Sequence, residues 1–169
     1  HILENLLDET ISLNESKMRY LAYEAEFLTN IASFNRCIEE VRAEVRQVPT
    51  VVALHQKAMS HLKHIYYLTS MLFYYKGVKN NQNMLSIMQV IRRITVDLQT
   101  ILKLLEKPTL DQVELTVIDD KCIVQGQNLP VFEALSKDFM SELIGLKESC
   151  EKISAIRFYH YEKLPNAMI

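Results

Sequence analysis

The sequence predicts a mostly α protein: four principal helices in an antiparallel bundle, the first of them long, with one β-hairpin inserted between helices three and four. Three observations carry this. Residues 2 to 47 contain neither Gly nor Pro, so no helix breaker interrupts them. Four stretches repeat apolar residues at alternating spacings of three and four, the signature of an amphipathic helix. Only the stretch around Val113 switches to a period of two. The 3 Gly and 4 Pro in 169 residues argue against a loop-rich β fold and for long uninterrupted helices.

The first helix is expected over 1–47. Leu7, Ile11, Asn14, Met18, Leu21, Ala25 and Leu28 form a heptad seam with one polar position, and Ile31, Ile38, Val41 and Val45 continue it after a phase shift near Phe34. Ser12-Leu13-Asn14-Glu15 reads as a capping box, so the helix either starts there or runs through. Pro49 suits the first turn of the next helix and disfavours helical geometry at Val48. The joint is a tight hairpin rather than a kinked rod, because both flanks are amphipathic.

The second helix, 49–77, is the element around which the chain is organised. Ala58, His61, Ile65, Leu68, Leu72 and Tyr75 form its seam. Tyr66 and Phe73 widen that seam, whereas Tyr67, Met71 and Tyr74 fall towards the far side. Gly77 followed by Val78 reads as a Schellman stop. A polar run, 79–83, precedes the third helix, 83–107, whose two stripes (Met84, Met88, Ile91, Leu98, Leu102, Leu105 and Ile87, Val90, Ile94, Ile101, Leu104) predict deep burial.

Over 112–125, Val113, Leu115 and Val117 alternate with Glu114, Thr116 and Ile118, then Asp119-Asp120-Lys121 leads into Cys122-Ile123-Val124. Alternation around a short polar turn reads as a hairpin. Two strands are marginal alone, so the ribbon should lie on the helices or pair with another chain. Pro130 opens the fourth helix, 130–162, with Phe132, Leu135, Phe139, Leu143, Leu146, Cys150 and Ile153 as its seam. Gly145 sits mid-helix, where it costs about 1 kcal/mol against Ala, so a close approach by a neighbour is expected there.

One domain with a sizeable core fits the length. The formal charge of −2 hides a pattern: residues 1–49 carry a net −4, 50–107 a net +6, and 108–169 a net −4. Complementarity between packed helices explains this most simply. The basic residues are dispersed, so nucleic acid is not an expected partner. No apolar run reaches the ~18 residues of a membrane span. Cys37, Cys122 and Cys150 are an odd number without a CxxC, which reads as reduced thiols in a cytoplasmic or nuclear setting; the alternative is one disulfide and a free thiol in a secreted protein.

The sequence carries no catalytic signature: no Gly-rich phosphate loop, no HExxH, no GxSxG and no zinc-type cysteine spacing. His61 and His64 stand one turn apart, but lysines at 57 and 63 disfavour a cation, so a hydrogen-bonded seam histidine and an exposed one are expected in place of a metal. Asp119 and Asp120 read as turn residues. No cofactor, metal or small molecule is indicated.

The expected function is therefore non-enzymatic: a protein-interaction or assembly module, scaffold or adaptor, of helical-bundle or coiled-coil type. Its expected partners are proteins, a second copy of the chain among them. Tyr67, Met71, Tyr74 and Ile118 are the candidate partner-binding residues, because an apolar body with a polar tip, or an uncovered β-branched residue, suits an interface. A secreted four-helix signalling ligand is the alternative reading.

Overall fold

The computed structural model describes residues 12–44, 49–76, 81–115 and 130–163. Four helices fill most of that span: α1 (Leu13–Glu44), α2 (Pro49–Lys76), α3 (Asn81–Glu106) and α4 (Pro130–Lys163). Mostly helical architecture is thus observed, and no strand occurs among the described residues.

The helix ends follow local chemistry. The Ser12 hydroxyl accepts from the Glu15 amide at 3.2 Å, the N-terminal half of the capping box, and α1 begins at the next residue. Pro49 and Pro130 each open a helix at a position where no amide donor is required.

The fourth seam packs as the spacing predicts. Leu135, Phe139, Leu143, Leu146, Cys150 and Ile153 are all buried, and α2 and α3 both pack along α4. Ala58, Ile65 and Leu72 supply the α2 side of this core, with Leu68 packed against it. On α3 the stripe of Val90, Ile94, Ile101 and Leu104 is buried, while Leu102 from the other stripe is exposed.

The first half of the α1 seam is a correction, whereas Ile38 in its continuation is buried. Asn14, Met18, Leu21, Ala25 and Leu28 face outward. The face turned inward carries Tyr20, Glu24 and Phe27 instead. The reason lies in what α2 offers there. The Tyr66 hydroxyl donates to Glu24 Oε1, and its ring stacks on Phe27 at a centroid distance of 4.5 Å. Ser70 donates to the Tyr66 carbonyl, so the Tyr20 hydroxyl donates to Ser70 Oγ at 2.6 Å. Aromatic bodies with polar tips bury their apolar area and satisfy their own oxygens, which the aliphatic stripe has no need to do. Contact between residue 20 and residue 70 also excludes a continuous α1–α2 rod.

The hairpin expected over 112–125 falls mostly outside the described residues. Its described part, 112–115, is not a strand, and the remainder, Ile118 included, lies outside the described residues. After α3 the chain is tied to α4 by side chains rather than by a ladder. Ser154 Oγ accepts from the Thr109 amide at 2.8 Å and donates to the Thr109 carbonyl at 2.9 Å. Glu151 Oε1 accepts from the Val113 amide at 2.9 Å, and Arg157 donates to the Leu105 carbonyl. Val113 packs against the core and Leu115 is buried, so alternation here reports one side anchored on a helix.

Candidate interaction surface

Two features stand out among the described residues: a polar cleft between α2 and α4, and an open apolar stripe on α1. The cleft is built by helical spacing. His61, His64, Tyr67 and Leu68 lie within two turns of α2, and Asp138, Ser141 and Glu142 within two turns of α4. Glu142 is the central group. Its Oε2 lies 2.6 Å from His61 Nδ1 and its Oε1 3.2 Å from His64 Nδ1. A carboxylate accepts, so both imidazoles carry their proton on Nδ1. His61 Nε2 is buried without a hydrogen-bond partner. That edge of the ring rests on Gly145, where a Cβ would fall 2.5 Å from Nε2. The mid-helix glycine is thus the close approach the sequence implies, made by an imidazole.

Beside this cluster opens a cavity of about 250 Å³ lined by His64, Tyr67, Leu68, Asp138, Ser141 and Glu142. Glu142 is committed to two imidazoles, and no hydrogen bond joins Ser141 to either of them among the described residues. A nucleophile paired with an oriented base is what acyl-transfer chemistry requires. No group of three or more His, Cys, Asp or Glu residues placed to hold a metal ion occurs among the described residues.

Tyr67 and Met71, read from the sequence as partner residues, are 60% and 52% exposed on successive turns of α2. The Tyr67 ring tilts on that of Tyr66 at 5.6 Å, linking the cleft wall to the α1–α2 seam. The Tyr74 side chain and Ile118 lie outside the described residues. Burial pushes the Tyr66 phenol well above its usual range, and the Glu24 carboxylate adds to the rise.

The α1 stripe is the second feature. Met18, Leu21 and Leu28 are 67%, 46% and 53% exposed, with Ala25 and Ala32 exposed between and beyond them. Scattered exposed apolar residues are ordinary, but a continuous heptad row is not. Cys37, further along α1, is an exposed free thiol, and Cys150 is a buried one. No helix among the described residues is long and apolar enough to cross a membrane.

Comparison with known proteins adds no relative: no family model, no curated protein and no solved structure matches the chain.

Proposed function

We propose that this chain is a non-enzymatic protein-interaction or assembly module of helical-bundle type. The observation that carries the reading is the outward face of α1, a heptad row with no partner among the described residues, on a helix whose opposite face is already occupied by α2. Tyr67 and Met71 form a second exposed patch, on α2. The α1–α2 contacts step in opposite senses, residue 20 meeting 70 and residue 24 meeting 66, which supports antiparallel neighbours. The exposed Cys37 thiol suits a reducing, cytoplasmic or nuclear compartment and favours this reading over a secreted ligand.

The test is affinity capture with the whole chain, comparing wild type with Met18→Ser/Leu21→Ser and with Tyr67→Ala/Met71→Ala. Loss of the same proteins from either variant, with unchanged circular dichroism, supports the reading. Identical capture by wild type and both variants removes it.

A further inference from the structure

We infer that the α1 stripe is the seat of a second copy of this chain, bound antiparallel with Met18 of each protomer against Leu21 of the other. This rests on the interaction-module reading and names its partner. The argument begins with the heptad. Met18, Ala25 and Ala32 fall on one core position and Asn14, Leu21 and Leu28 on the other, so two stripes interlock over at least the ~22 Å from Asn14 to Leu28. The residues flanking the stripe differ on its two sides. Glu15, Ala22 and Thr29 line one side, and Glu15 is already paired with Arg19 at 2.7 Å. Lys17 and Glu24 line the other, one heptad apart and of opposite charge.

Charge then selects among the arrangements. In an antiparallel pair, like flanks meet, so the flank that carries Lys17 and Glu24 meets the same flank of the other protomer. With Met18 opposite the partner's Leu21, Lys17 faces the partner's Glu24 and the dyad repeats the pair. Sliding one heptad one way sets Lys17 against the partner's Lys17; sliding the other way sets Glu24 against the partner's Glu24. A parallel pair matches Lys17 with the partner's Ala22 and Glu24 with the partner's Thr29, with no ion pair at either position. Only the first arrangement is complementary. The groups are available for it. Lys17 is exposed and makes no ion pair among the described residues. Glu24 uses Oε1 for the Tyr66 hydroxyl, which holds the carboxylate in place at the edge of the stripe and leaves Oε2 to accept from a lysine.

The test uses the full chain. Sedimentation equilibrium over a concentration series should show wild type passing from 19.7 kDa to twice that mass. Lys17→Glu should weaken the dimer about tenfold, because two attractive rim pairs become repulsive. Glu24→Lys should weaken it likewise. An equimolar mixture of the two variants should recover wild-type affinity, since each then meets its opposite. Because Glu24→Lys also removes the Tyr66 contact, a second measurement stands independently. In a Cys37→Ser background, Met18→Cys and Leu21→Cys chains oxidised together should yield the mixed disulfide, whereas each alone should stay largely uncrosslinked. Crosslinking of each variant with itself would indicate a parallel pair and overturn the register. A dimer indifferent to Lys17→Glu would overturn it too. A monomer at every concentration would overturn the second copy altogether, while the interaction reading would still stand or fall on the capture experiment.

Discussion

The imidazole of His61 lies against the bare Cα of Gly145, so close that a Cβ on residue 145 would fall 2.3 Å from Cε1. The ring cannot simply swing away, because Nδ1 is bound to Glu142 at 2.6 Å. Gly145→Ala should therefore destabilise the protein by about 1–3 kcal/mol, even though alanine favours the helix by about 1 kcal/mol. In a His61→Ala background the clash is gone and the same substitution should be neutral or stabilising. Urea melts of the four proteins give the cycle; additive effects would show that ring and glycine do not oppose each other.

Ser154 and Ser149 are both buried serines on α4, yet they should differ on truncation. Ser149 donates only to the Gly145 carbonyl of its own helix, at 2.9 Å. Ser154 holds both the amide and the carbonyl of Thr109. Ser154→Ala leaves backbone groups of Thr109 without those bonds and should cost about 2–4 kcal/mol, against less than about 1 kcal/mol for Ser149→Ala. Proteolysis within 107–115 should also accelerate in Ser154→Ala alone.

Leu72 and Tyr67 stand on opposite sides of α2. Leu72 is buried in the central cluster, so Leu72→Ala should cost about 2–5 kcal/mol in denaturant melts. Tyr67 is 60% exposed, and Tyr67→Ala should cost less than about 1 kcal/mol. Comparable losses would place Tyr67 in the core and take the α2 lip out of the interaction surface.

Burial, with a smaller contribution from Glu151, pushes the Cys150 thiol up to about 11 from an ordinary value of 9.0. The raised value means the folded state resists deprotonation. Its contribution to stability is therefore complete below the unfolded value and is lost as pH rises from about 9 towards 11. Tyr66 acts in the same sense at higher pH. Unfolding free energy measured from pH 8 to 11 should fall more steeply in wild type than in Cys150→Ala; parallel curves would contradict the assignment.

The α4 seam was legible because every one of its apolar positions with a described side chain serves a single buried face. The α2 seam was legible for the same reason, from Ala58 to Leu72. The α1 face was not. Periodicity weighs aliphatic residues most, but the contact with α2 is made by Tyr20, Glu24 and Phe27, which such weighting reads as the flank. The Glu142 cluster joins residues 81 apart in sequence, a pairing no local pattern encodes, although the costly Gly145 within α4 marked where it would form. Around Val113 the alternation is seen in Val113 and Leu115, which turn inward, and Glu151 holds the Val113 amide; the rest of that stretch lies outside the described residues.

Because α1 meets the rest of the chain chiefly at α2, through a seam of aromatic rings, a serine hydroxyl and one carboxylate, it can open without exposing the core shared by α2, α3 and α4. Its backbone amides should exchange with solvent deuterium at a lower free-energy cost than those around Leu143 and Ile94. A partner seated on the outer stripe would slow that exchange along α1 first. The protection factor of α1 would then gauge occupancy of the stripe.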